Sequence, residues 1–341
     1  MATGEITEGS SSSPELPKIF SFQSLEGITN NFSRIFCKDP FGPVYKVRSF
    51  FSHIFFCFFK SMMIEQMLIR SICYEIKQGT LPDTDKEIAV KKLEQSAEIP
   101  PEDFENKVQS VYEIKHENIV ELIGFCNQTL QITTERLLCY DFDPNESLQQ
   151  HLFGPKATDG SNSADPSTNW DTCFKIVKGV CQGLLYLHKL EDPITHMDLN
   201  LNNIWLDRAM VPKIANLGLS RIFSEDRIKY YKEESPRYMA PEYLNSTGMS
   251  VSIDIYSLGV MMIQITTREE NNDNLDKASR IYIKDIRKRW TAEHIASVYS
   301  SLDSECLHQV HTCIKTGLEC MQIDQKNRPS IDVIVDRLNT I

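Results

Sequence analysis

Apolar residues recur at helical spacing through residues 170–188, where Ile176, Val180, Leu184 and Leu187 fall on one face. The pattern predicts a helix from about Trp170 to His188 that buries this stripe in a core. An earlier helix is predicted from Phe104 to about Ile114. It follows Pro100-Pro101-Glu102-Asp103, and prolines and acids suit a first turn, which has amides to spare and a positive dipole end. Two later helices are predicted at about Cys306–Met321 and Ser330–Leu338. Residues 20–140 read as mostly strand around the single helix at Phe104. Lys156–Asn169 is a polar loop, and no internal repeat is present.

One stretch has no defensible period. With residues 47–78 set aside, Phe41-Gly42-Pro43-Val44-Tyr45-Lys46 runs through a Pro82-Asp83 turn into Glu87-Ile88-Ala89-Val90-Lys91-Lys92-Leu93. That order is strand, turn, strand. The segment set aside carries Arg48, Lys60, Glu65 and Arg70. Those charges leave no uninterrupted apolar run long enough to span a bilayer, which takes roughly 20 apolar residues. Valine codons begin with GT, and glutamine can be encoded by CAG. Val47 and Gln78 therefore match the ends of an intron, and a retained intron is favoured over a surface insertion.

The chain has 341 residues, 41% hydrophobic and 24% charged, with a net charge of −11. That is enough chain for two cores. The negative charge argues against nucleic acid or anionic lipid as the main partner. The ten cysteines are scattered without a C-x-x-C spacing, as in reduced thiols rather than zinc or disulfide sites. Residues 1–18 are rich in Ser, Glu, Gly and Pro and read as a disordered tail. They carry no apolar signal-peptide core and no glycine after the initiator methionine.

Two short motifs carry the candidate chemistry. The first is His196-Met197-Asp198-Leu199-Asn200-Leu201-Asn202-Asn203, and the second is Asn216-Leu217-Gly218. They resemble the catalytic loop H-R-D-L-x-x-x-N and the metal motif D-F-G of protein kinases. Phe41–Lys46, Glu87–Leu93, His116-Glu117-Asn118-Ile119-Val120, Ala240-Pro241-Glu242 and Asp254–Gly259 resemble further kinase blocks in the same order. The wording at 137–153, 216–223 and 238–244 is similar to plant receptor-like kinases related to Pelle, of the receptor-like cytoplasmic or cysteine-rich type. The resemblance implies an α+β, bilobal kinase fold. Its N-lobe, residues 19–142, is small and mostly β with one helix. Its C-lobe, residues 143–341, is larger and helical.

By that resemblance Asp198 takes the position of the catalytic base. Lys91 takes that of the phosphate-binding lysine, and Asn203 and Asn216 those of the two metal ligands. Gly42, Val44, Ala89, Tyr140 and Trp205 line the nucleotide pocket with Lys91. Glu242, Asp254 and Arg328 are structural supports, with Arg328 paired to Glu242.

Several charges that the family uses are replaced. Asn216 stands where an aspartate holds magnesium, and a neutral amide loses the charge that a hard cation needs. Lys107 stands where a helix glutamate orients the lysine, so it is expected to repel Lys91. Asn200 replaces the loop lysine, and Met197 the arginine. Cys37-Lys38-Asp39-Pro40-Phe41-Gly42 keeps one glycine of the phosphate loop. Trp205 replaces a smaller aliphatic residue, with an indole either in the adenine space or in the core beside it. Glu234-Ser235-Pro236-Arg237 departs from the pattern that shapes the peptide site.

The implied function is a pseudokinase: a scaffold or regulator of receptor-like kinase signalling with weak or no ATP binding. The alternative is a residually active, ATP-dependent Ser/Thr kinase. ATP and Mg2+ belong to the active reading, and no cofactor to the other. The implied partners are other kinases or receptor cytoplasmic domains, with no nucleic acid and no integral membrane segment. The implied location is the cytoplasm, with the plasma membrane reached through a partner.

Overall fold

Strand β4 (Ile88–Lys92) organises the N-terminal half, and its first four residues are all buried. A computed structural model describes residues 16–33, 35–39, 42–47, 88–93, 99–130, 133–141, 146–154, 170–217, 219–223, 238–244, 250–269 and 275–341. The elements before β4 are β1 (Lys18–Ile19), α1 (Phe22–Ile28), β2 (Ile35–Asp39) and β3 (Gly42–Val47). After it come α2 (Pro101–Tyr112), β5 (Glu121–Leu130) and β6 (Thr133–Asp141). The six strands form one sheet in the order β1-β5-β6-β4-β3-β2. Only β1 runs parallel to its neighbour.

Side chains alternate across a strand, and here both faces are covered. Ala89, Leu138 and Tyr140 join Phe104, Val108 and Val111 of α2 in the main apolar cluster. Ile88, Val90, Leu137 and Cys139 join Phe20 and Leu25 beside α1 in a second cluster. Lys91, two residues beyond Ala89, thereby shares the face that carries Ala89.

The second half opens with β7 (Glu146–Ser147) and α3 (Leu148–Phe153), whose start is a capping box between Ser147 and Gln150. Helix α4 (Trp170–His188) leads to a 3-10 turn (Leu201–Asn203), β8 (Ile204–Leu206) and β9 (Pro212–Ile214). The three short strands pair in the order β7-β8-β9. Then follow α5 (Leu219–Ile222), α6 (Pro241–Leu244), α7 (Ser252–Thr267), α8 (Leu275–Arg289), α9 (Ala292–Val298), α10 (Ser304–Cys320) and α11 (Ile331–Asn339). Helix α7 is apolar nearly all round and buried along its length, as a central helix must be. It lies against α10 through glycine: a Cβ on Gly259 would come within 2.7 Å of both Cys320 Cβ and Gly317 O.

The architecture is the expected one of a mixed-sheet lobe followed by a helical lobe. The Trp170–His188 helix spans the predicted residues. Helix α2 begins at Pro101, with Glu102 and Asp103 in its first turn as the prolines and acids predict, and it ends at Tyr112, two residues before the predicted Ile114. The N-terminal half has a second helix, α1, capped by Ser21 accepting from the Ser24 amide. Lys18, placed in the tail by the sequence, pairs with Gly124. Val47, the first residue of the supposed insertion, ends β3 opposite Ile88. The rest of that segment lies outside the described residues, as do the loop 156–169 and residues 234–237. No described helix is long and apolar enough to cross a membrane.

Candidate functional site

Five of the singled-out residues form one hydrogen-bonded chain. Lys91 is fully buried, and its Nζ donates to Asn216 Oδ1 at 2.9 Å. Asn216 Nδ2 donates to Asn203 Oδ1 at 2.6 Å. Asn203 Nδ2 donates to the Asp198 carboxylate at 2.7 Å and to the Asp198 carbonyl at 2.8 Å. Asn200 Nδ2 donates to the other Asp198 carboxylate oxygen at 3.1 Å. Asn200 Oδ1 caps the 3-10 turn, accepting from the Asn202 and Asn203 amides at 2.9 and 3.2 Å. The sequence reading missed this capping role, although Asn before a turn is its ordinary signal.

The arrangement fits a divalent cation poorly. Asn216 presents hydrogens, not a lone pair, to Asn203. Its own oxygen is engaged by Lys91, and each Asp198 oxygen accepts one amide hydrogen, which leaves Asp198 as the one carboxylate of the set. Magnesium needs free oxygen lone pairs and favours carboxylate. Among the described residues, no group of three His, Cys, Asp or Glu side chains could hold a metal.

The residues assigned to the nucleotide pocket are covered by protein. Val44, Ala89 and Trp205 are fully buried and Tyr140 is 1% exposed. The Trp205 ring stands edge-on to Phe36 at 5.4 Å and to Tyr140 at 6.5 Å. The indole thus packs in the main cluster while bridging β2 and β6. Gly42 lies opposite Asp39 in the β2–β3 register with φ 136°, a conformation open to glycine.

Lys107 has a partner outside the Lys91 chain. Its Nζ donates to the Ile222 carbonyl at 3.0 Å. That carbonyl ends α5, where helix acceptors are unsatisfied and carry partial negative charge. A long flexible ammonium finds such an acceptor more readily than a second cation.

Beneath the loop, Asp254 on α7 accepts from the His196 and Met197 amides at 2.7 and 2.9 Å, and lies 3.0 Å from His188 Nε2. Met197 has φ 68°, a left-handed conformation that costs a residue with a Cβ about 1–2 kcal/mol. The two bonds to Asp254 hold it there. His188 gave no sequence signal, because it reads as the end of an amphipathic helix. Burial by itself would raise the Asp254 pKa, but the hydrogen bond and charge of His188, with His196, hold it below 3.8.

A carboxylate depressed in the folded state adds stability above its unfolded pKa and loses it as pH falls through the folded value. The stability lost on acidification below about pH 4 is expected to be smaller in Asp254→Asn, measured by urea unfolding at stepped pH. Equal acid slopes in parent and variant would rule the linkage out.

Arg328 and Glu242 form the other support. The Arg328 side chain is 1% exposed. It forks onto both Glu242 oxygens, one at 2.7 Å, and donates to the Gln322, Ser252 and Ile323 carbonyls. All five of its hydrogens are used.

Comparison with known proteins identifies the family. The protein kinase domain pattern matches residues 73–338. The chain is similar to Cysteine-rich receptor-like protein kinase 41 of Arabidopsis thaliana, 33% identical over 276 residues, covering 77% of this chain and 39% of the relative. It is 32% identical over 338 residues to the G-type lectin S-receptor-like serine/threonine-protein kinase SD1-13 of the same plant, covering 96% of this chain and 35% of the relative. Cysteine-rich receptor-like protein kinase 44 is 33% identical over 276 residues, with 69% of its length covered. The chain thus spans well under half of the first two relatives. The chain belongs to the protein kinase family, among the plant receptor-like kinases.

Proposed function

We propose that this chain is a pseudokinase, a kinase fold kept as a scaffold or regulator in receptor-like kinase signalling, with weak or no ATP binding. The observation that carries the reading is the amide–amide hydrogen bond from Asn216 to Asn203 at 2.6 Å, with Lys91 on the far oxygen. Kinase relatives typically use ATP and Mg2+. Here the groups matching the lysine and metal ligands are hydrogen-bonded to one another. Trp205, buried between Phe36 and Tyr140, takes up space that adenine needs. The supports around Asp254 and Arg328 are complete, so a surface can be held in shape without the chemistry. The partner is another kinase or the cytoplasmic domain of a receptor, and the chain works in the cytoplasm.

A residual Ser/Thr kinase is the second reading. It is supported by Asp198, Asn203 and Lys91 lying on one connected chain.

A thermal-shift titration of the full chain separates the two. Ligand that binds only the folded state raises the melting temperature, by about 2.7 kcal/mol of stabilisation at a hundredfold excess over Kd. No shift is expected with ATP, alone or with Mg2+ or Mn2+. A metal-dependent rise would overturn the pseudokinase reading in favour of the kinase.

A further inference from the structure

The exposed face of α8 concentrates positive charge on an acidic protein. Tyr282 and Ile286 turn inward and are 7% and 0% exposed. Ile281, Lys284, Arg287 and Lys288 turn outward, and Ile281 is 62% exposed. Residues three and four apart share a helix face, so Lys284 has Ile281 on one side and Arg287 and Lys288 on the other.

Two acids beside this face, Glu269 and Asp285, are already taken. Arg289 forks onto both oxygens of Glu269, each at 2.7 Å, and pairs with Asp285 at 2.7 Å. Among the described residues, Lys284, Arg287 and Lys288 make no ion pair or hydrogen bond. Three unpaired cations thus flank one exposed isoleucine, on a chain whose net charge is −11.

We propose that this face of α8 docks an acidic, extended segment of a partner protein. Lys284, Arg287 and Lys288 take its carboxylates, and Ile281 takes an apolar side chain beside them. Neighbouring cations on a helix face stand about 5–6 Å apart. Alternate residues of an extended chain stand about 6–7 Å apart, so two acids at alternate positions can meet Lys284 and either Arg287 or Lys288.

A membrane fits less well. An extended anionic surface meets the whole negative chain, whereas a short peptide feels mainly charges within about 8 Å at physiological salt. One isoleucine also offers little to insert into a bilayer. The proposal deepens the partner-binding reading above. A failed peptide titration would leave the nucleotide test of that reading untouched.

The test is a fluorescence-anisotropy titration of the full chain. The probe is a labelled short peptide of alternating glutamate and serine with one central leucine. Binding is expected at low salt and weakens as salt rises. Combined Lys284→Glu, Arg287→Glu and Lys288→Glu should weaken it about tenfold or more and should create binding to the matching lysine peptide. Lys315→Glu, an exposed site on α10, should change little. The three side chains are exposed, and an unchanged thermal melt checks that the triple variant stays folded. Ile281→Ser provides a second variant without charge change and should weaken binding several-fold. Equal affinity in parent and triple variant, or equal loss in Lys315→Glu, would overturn the proposal. So would co-sedimentation with phosphatidylserine vesicles that the triple variant abolishes, because the face would then belong to a membrane.

Discussion

Replacing Arg328 by alanine is expected to lower the melting temperature by roughly 10 °C. Arg328 and Glu242 are buried together, 1% and 11% exposed. Removing one partner of such a pair leaves an uncompensated charge, at about 3–5 kcal/mol. For a domain of this size each kcal/mol moves the melting temperature by about 2–4 °C. The loss is larger than that of one ion pair, because the Gln322 and Ser252 carbonyls lose their donor too. Arg328→Lys should recover only part of it, since an ammonium cannot fork onto both Glu242 oxygens and still reach three carbonyls. Adding Glu242→Gln to the alanine variant should also recover part, by removing the stranded charge. A melt of Arg328→Ala within about 2 °C of the parent would mean that the pair does not hold the C-terminal helices.

The second large effect is a gain. Asn216→Asp is expected to acquire a melting-temperature rise of several degrees on adding Mg2+ or Mn2+ with ATP, where none is expected of the parent. The amide hydrogens now aimed at Asn203 Oδ1 at 2.6 Å would be replaced by a lone pair. Two oxygens would then face each other beside Lys91, an arrangement that a hard cation relieves and an amide does not. Without metal, the variant loses a buried hydrogen bond, worth about 1–3 kcal/mol when a partner is left unsatisfied. Absence of any metal response would show that something other than the amide at 216 closes the site.

Much of the fold was legible in the chain. The stripe Ile176, Val180, Leu184 and Leu187 gave α4, because burial on one side leaves a period that the sequence must carry. The motifs around Asp198 and Asn216 named residues that the fold joins in one hydrogen-bonded chain. What the residues could not give was direction. Lys107 differs from the expected glutamate in plain view, yet its partner is a backbone carbonyl of Ile222, 115 positions away, and any residue there has such a carbonyl. Asn216 could be read as a lost charge, but its role as a donor depends on which way the amide faces. Trp205 offered two placements, and its burial with contacts to Phe36 and Tyr140 is a packing fact that composition alone does not give. The face of α8 escaped notice because charge on an amphipathic helix ordinarily means solvent. Only the capture of Glu269 and Asp285 by Arg289 shows which cations are left over.

Asn216 lies at φ 60°, in the left-handed region where asparagine and aspartate are the residues with a Cβ that settle most easily. Their codons differ by a single base, a G-to-A transition. Exchange between the two chemistries at this position therefore asks nothing of the backbone and one step of the gene. A lineage carrying this fold stands one mutation from the carboxylate, with the backbone at position 216 suited to either residue.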